Sequence, residues 1–317
     1  MLDVTIKSFS YHEKEVLKDI VFKLKKGKNL AILGESGCGK STLLHLIYGL
    51  LNLDQGDIFW GSKRLLGPKA NLVPGESFIK LVSQEFDLMP YISVSENIAS
   101  HLPRTDTKLD DARVDELLIV VGLSPFKNSL VKNLSGGQKQ RVALAKALAK
   151  KPKLILLDEP FSNIDVKRKN VLRRALYSYL KLNAISCITA THDSEEALGF
   201  SDEILILQNG TTLAQGTPQT VFKNITSAYH AGFFGDVSIL PSHLFGTMAP
   251  SKYEFLLPHE LRITQEKSKL SVRVTASYFR GKDYLIQASW EGEDVFFENP
   301  YKLKEGTIVS LEKKQAS

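Results

Sequence analysis

The octapeptide Gly34-Glu35-Ser36-Gly37-Cys38-Gly39-Lys40-Ser41 constrains this chain more than any other stretch. It matches G-x-x-x-x-G-K-[ST] at every specified position, and the apolar run Leu30-Ala31-Ile32-Leu33 leads into it. That order predicts a short buried strand, a glycine-rich turn and a helix. Comparable apolar runs recur at Phe78–Val82, Leu154–Leu157, Ile185–Thr189 and Ile204–Leu207. Helical stretches lie between them. Residues from about 86 to 150 read as mostly helical, with one helix at Leu109–Val121 stopping at Gly122 and another running from the glycines at 136–137 through Leu148. Val171–Leu180 places Leu172, Leu176 and Leu180 at helical spacing. Strands alternating with helices imply a parallel sheet covered by helices. Leu2–Ser8 and Val16–Leu24 alternate apolar and polar residues instead, as strands of an antiparallel sheet do.

The texture changes near residue 235. Ser268–Lys314 is a series of short alternating runs, with turns at Arg280-Gly281-Lys282-Asp283 and Glu291-Gly292-Glu293-Asp294 around a strand at Tyr284–Trp290. This pattern predicts a small β-barrel. The expected domains are 1–232 and 236–317, with the boundary at 230–236 around Gly232 and Gly235. Apolar runs are too short for a spanning helix of about 18–20 residues. The start, Met1-Leu2-Asp3-Val4-Thr5-Ile6, lacks the layout of a signal peptide, so a cytoplasmic site of action is expected. Cys38 and Cys187 offer neither a disulfide framework nor metal spacing. The net charge of +6 is spread over dispersed lysines rather than gathered in a nucleic-acid patch.

The octapeptide has a definite chemistry. Its glycines let main-chain N–H groups wrap a phosphate chain, and the following helix adds its positive end. Lys40 would reach the outer phosphates, and the Ser41 hydroxyl would ligate Mg²⁺. The run Leu154-Ile155-Leu156-Leu157 ends in Asp158-Glu159-Pro160. A parallel strand delivers its C-terminal residues to the ligand crevice, so Asp158 can hold Mg²⁺ and Glu159 can deprotonate an attacking water. Leu134-Ser135-Gly136-Gly137-Gln138, just ahead of a helix, makes a second anion-binding nest.

Together these residues resemble the ATP-binding cassette (ABC) ATPases, the motor subunits of membrane transporters. The resemblance covers residues 2–230 and implies a P-loop cassette with a parallel core, an antiparallel β subdomain and a helical subdomain. It implies ATP and Mg²⁺ as ligands. Gly34, Glu35, Ser36, Gly37, Cys38, Gly39, Lys40, Ser41 and Thr42 would bind ATP, and Tyr11 would stack on adenine. Gln84 would touch Mg²⁺ and the attacking water, with Ser41 and Asp158 on the metal. His192 would contact the γ-phosphate, completing a catalytic set of Lys40, Gln84, Glu159 and His192. Ser135, Gly136, Gly137 and Gln138 would act in trans, closing over ATP held by a second copy of the chain. Ser162-Asn163-Ile164-Asp165 matches the loop that crosses such a dimer, although Asn163 and Ile164 depart from the usual small-then-leucine pattern. Within Gln84–Tyr91, Phe86, Leu88 and Met89 fit either a permease contact or core packing.

The tail motif Leu257-Pro258-His259-Glu260-Leu261-Arg262-Ile263 and the linker Gly232-Phe233-Phe234-Gly235 are similar to the OB/TOBE-like barrel on bacterial importer ATPases. That likeness implies solute import through a separate permease fed by an extracytoplasmic binding protein, with no nucleic acid as partner. The place would be the cytoplasmic face of the membrane, and the cargo ferric iron, another inorganic ion or a polyamine. The alternative is a soluble cassette ATPase acting on ribosomes or DNA. The short span from Lys40 to Ser135 leaves no room for the coiled coil of chromosome-type members. A P-loop kinase fits poorly with Ser135–Gln138 and Glu159.

Overall fold

The computed structural model describes residues 1–245, 252–266 and 268–314. The chain divides into two compact units, 1–221 and 222–317. Residues 246–251, 267 and 315–317 of the expected second domain lie outside the described residues.

The first unit opens with β1 (Leu2–Tyr11), β2 (Lys14–Leu24), β3 (Asn29–Leu33) and α1 (Lys40–Tyr48), followed by β4 (Gln55–Trp60), β5 (Lys63–Arg64) and β6 (Ile79–Val82). Next come α2 (Val94–Ala99), α3 (Thr107–Val120), α4 (Gly136–Leu148), β7 (Leu154–Asp158), α5 (Val166–Leu182) and β8 (Ser186–Thr191). It closes with α6 (Ser194–Phe200), β9 (Glu203–Gln208) and β10 (Thr211–Gly216), and α7 (Pro218–Lys223) carries the chain across the division.

Period-two alternation builds the antiparallel sheet β2-β1-β4-β5. Leu2, Val4 and Ile6 pair with Leu24, Phe22 and Ile20, and all six side chains are buried on one face. The larger sheet has the order β10-β9-β3-β8-β7-β6, parallel from β9 through β6. β7 shows how it is covered. Leu154 and Leu156 join a core with α1 and the antiparallel sheet, while Ile155 and Leu157 join one with the helices. Each such fully buried leucine or isoleucine contributes about 1.5–3 kcal/mol.

Helix ends follow local chemistry. Asp106 caps α3 by accepting from the N–H groups of Lys108 and Leu109, so the helix begins at Thr107, two residues before the expected start. Asp165 caps α5, so that helix begins at Val166, ahead of the expected Val171. β1 runs on to Tyr11, past Ser8.

The second unit holds α8 (Ala228–Gly232), β11 (Ser238–Pro241), β12 (Tyr253–Leu256), β13 (Leu261–Thr264), β14 (Leu270–Phe279), β15 (Tyr284–Trp290), β16 (Glu293–Asn299) and β17 (Ile308–Lys313). The expected linker at 230–236 falls inside it, partly as α8. β11 pairs with β12, and an antiparallel sheet runs β13-β17-β14-β15-β16. Its edge strands β13 and β16 come back toward each other, so the sheet is curled. Leu270, Val272, Val274, Ile286, Phe297 and Leu311 fill its interior.

Candidate functional site

Parallel pairing decides what meets at the C-terminal edge of the large sheet. Leu33 of β3 pairs with Thr191 of β8, Asp158 of β7 with Ala190, and Val82 of β6 with Leu157. The glycine-rich loop, Asp158-Glu159, His192 and Gln84 therefore all leave the sheet from the same edge. This is where an open parallel sheet places its ligand crevice.

The loop is held by its own lysine. Lys40 is buried, and its Nζ donates to the carbonyls of Gly34 (2.7 Å) and Glu35 (2.9 Å). Gly39 precedes α1 at φ +108°, and a Cβ there would come 2.6 Å from Cδ2 of Leu17. Only glycine suits both the dihedral and the space. Cys38 is buried in the loop, and burial pushes its thiol pKa up. β2, which supplies Leu17, pairs with β1, whose exposed end is Tyr11, packed edge-to-face on Phe9 at 5.1 Å.

Asp158 is 5% exposed, and burial raises its pKa, opposed chiefly by a hydrogen bond with Ser41. Its Oδ1 meets no hydrogen-bond partner among the described residues. A serine hydroxyl joined to a buried, half-satisfied carboxylate is an oxygen donor set that fits Mg²⁺. Thr42 follows in α1, and Gln84 stands exposed two residues beyond β6.

Glu159 adopts φ +48°, in the left-handed region, a strain of about 1–3 kcal/mol for a non-glycine residue. Its N–H donates to the Ala190 carbonyl (2.9 Å), and its own carbonyl accepts from Gln140 Nε2 (2.9 Å) and Ser162 Oγ (3.1 Å). Its Oε1 lies 3.4 Å from Nδ1 of His192, and both line a cavity of about 80 Å³ with Ser162, Lys169, Arg173 and Asp193. Behind His192, Thr191 Oγ1 donates to Glu196 Oε2 (2.9 Å) and accepts the Asp193 N–H (3.1 Å). Arg173 NH2 bonds Asp193 Oδ2 (2.5 Å) and lies 3.5 Å from Glu196 Oε2. Burial pushes the Glu196 carboxyl up to about 7, against the pull of Arg173. The sequence reading missed Gln140, Arg173 and Glu196.

Ser135 and Gln138 form a reciprocal cap on α4. Ser135 Oγ accepts the Gln138 N–H, and Gln138 Oε1 accepts the Ser135 N–H. Ser135 and Gly136 are exposed. Gly137 lies against the 162–165 loop, where a Cβ would come 2.6 Å from the Asn163 carbonyl oxygen. Ile164 is buried in the helical core, and Leu88 packs there too, while Met89 remains exposed.

Comparison with known proteins bears on this geometry directly. A family model described as "ABC transporter" matches residues 17–162. Residues 17–162 belong to an ABC transporter ATPase domain. Among solved structures, cbiO1 from Clostridium perfringens, part of the ABC transporter complex cbiONQ, is 28% identical with a TM-score of 0.62. That match covers 70% of this chain and 90% of cbiO1. The ATP-binding cassette MJ0796, in a dimeric post-hydrolysis state bound to ADP and Pi, is 26% identical with a TM-score of 0.60. It is covered over 99% of its length, against 69% of this chain. The ABC domain here is thus an ATPase, set in the α/β cassette fold with an antiparallel subdomain. No helix of the described residues is long and apolar enough to cross a membrane.

Proposed function

We propose that this chain is the ATP-hydrolysing subunit of an importer, working as a pair of copies on separate permease subunits at the cytoplasmic face of the membrane. The observation that carries the reading is the sheet edge where Ser41 meets Asp158 and Glu159 faces His192. The loop Gly34–Thr42 wraps the phosphates of ATP, and Lys40 exchanges its two carbonyl partners for phosphate oxygens. Tyr11 stacks on the base. Ser41, Asp158 and Gln84 would hold Mg²⁺, which when bound would offset the negative charge of the phosphates. Glu159 takes the proton of the attacking water at its carboxylate, and His192 orients the γ-phosphate. The exposed nest of Ser135, Gly136, Gly137 and Gln138 closes on the ATP of the second copy. The dimeric state of MJ0796 supports the pairing, and the place of cbiO1 in a transporter complex supports the permease.

The curled second unit suits a TOBE-like regulatory or dimerising module on residues 236–317. With such a module the transport would be import, a solute-binding protein delivering an inorganic ion such as ferric iron, or a polyamine. The hydrolytic reading is tested with Glu159→Gln. This variant is expected to retain ATP, accumulate as a dimer and release phosphate only at a small residual rate. Wild-type phosphate release would sink the general-base role.

A further inference from the structure

Gln140 occupies an unusual position for an amide. It is 2% exposed, in the second turn of α4, five residues beyond the Ser135 cap. Its Nε2 donates 2.9 Å to the main-chain carbonyl of Glu159, nineteen residues away, while its Oε1 meets no donor among the described residues. A buried amide satisfied at one end only is a liability to folding, and an apolar residue would fill the same volume without it. What the amide does achieve is directional. Glu159 sits in the left-handed region, and its main chain is pinned on two sides, by Ala190 through its N–H and by Gln140 and Ser162 through its carbonyl. Rotation of that peptide would swing the carboxylate away from His192.

We infer that Gln140 is a positioning residue for Glu159, and that it ties the carboxylate to the helix whose first turn is the Ser135–Gln138 nest. The link is a single rigid step. Ser135 caps α4, Gln140 lies in its second turn, and the Gln140 amide ends on Glu159. A shift of α4 when the nest meets a phosphate therefore moves the Glu159 main chain with it. This rests on the proposed roles of Glu159 as base and of the nest as a phosphate clamp.

The test uses the full chain. Gln140→Met keeps length and volume but removes the donor, and Gln140→Asn keeps an amide withdrawn by one methylene. Both are expected to lower kcat by about tenfold or more, as small misplacements of a reacting group do. The KM for ATP and the melting temperature should stay near the wild-type values. Single-turnover hydrolysis then closes a double-variant cycle. In the Glu159→Gln background, Gln140→Met should cause no further loss, because the group it positions is gone. Wild-type kcat in both Gln140 variants overturns the inference alone, and so does a loss that multiplies in the double variant. Wild-type turnover by Glu159→Gln overturns the general-base reading and the inference with it.

Discussion

Replacing Arg173 by methionine removes the cation at the centre of the network behind His192. Its side chain is 1% exposed, bonded to Asp193 and close to Glu196, whose side chain is 2% exposed. Breaking one partner out of a buried pair costs about 3–5 kcal/mol, because the other charge is left uncompensated. Here the penalty depends on pH in a definite direction. Burial raises the Glu196 pKa from 4.5 to about 7, with Arg173 and hydrogen bonds from Thr191 and Tyr177 opposing the rise. A raised carboxyl pKa stabilises the fold most below the unfolded value and loses that contribution as pH climbs through the folded one. Without Arg173 the folded pKa moves higher still. At pH 6 both proteins hold the Glu196 proton, and at pH 8.5 only the wild type releases it readily. Each unit of further rise adds about 1.4 kcal/mol to the penalty at the higher pH. Asp193, whose pKa is lowered by Arg173 and Lys169 against its burial, changes the balance only in acid and is flat across this window. Urea unfolding read from Trp60 in a Trp290→Phe background reports on the first unit alone, since these are the only two tryptophans. The expected result is a loss of stability at pH 6 that grows by more than about 1 kcal/mol at pH 8.5, where the unpaired Glu196 carboxylate would have to form. An equal loss at both values, or a larger one at pH 6, refutes the reasoning.

Ser135→Arg should abolish steady-state ATP hydrolysis while equilibrium nucleotide binding persists; an equal fall in binding would place the nest outside the trans role. Gly39→Ala should destabilise the first unit by about 2 kcal/mol or more, from the φ of +108° and the clash with Leu17. Adding Leu17→Ala should cost less than the sum of the two single changes in urea melts, because it opens the space the new Cβ needs. Glu196→Gln should flatten the dependence of stability on pH between about 5 and 7, a slope that thermal melts across that range would reveal. An unchanged slope would remove Glu196 as its source.

Most of the sheet edge was legible because its residues are neighbours in sequence. The run Leu30–Leu33 ends at Gly34, and Leu154–Leu157 ends at Asp158. A period of two and an apolar run suffice to place both at one end of a parallel sheet. β4 escaped notice because Gln55-Gly56-Asp57 opens it with turn-forming residues, and Gly56 takes φ +127° within it. The expected helix start at Val171, rather than Val166, misled for another reason. Both face solvent on α5, so the helix start is marked by the Asp165 cap and not by apolar spacing. Gln140, Arg173 and Glu196 were illegible because polar residues on helices ordinarily face water. Their burial is created by partners some twenty residues away, such as Glu159 and Asp193. No local pattern carries that information.

β7 divides its side chains between two interiors, with Leu154 and Leu156 on one side and Ile155 and Leu157 on the other. Asp158 and Glu159 therefore stand at the end of a partition wall. The half of the unit that carries the phosphate loop presses on one surface of that wall, and the half that carries α4 presses on the other. A packing defect on either side reaches the carboxylates through a single strand's length, without passing through any ligand. Truncating Ile155 or Leu157 on the helical side should thus alter hydrolysis as well as stability, and so should truncating Leu156 on the opposite side. The two carboxylates are in this sense suspended between two cores, and each has a mechanical hold on them.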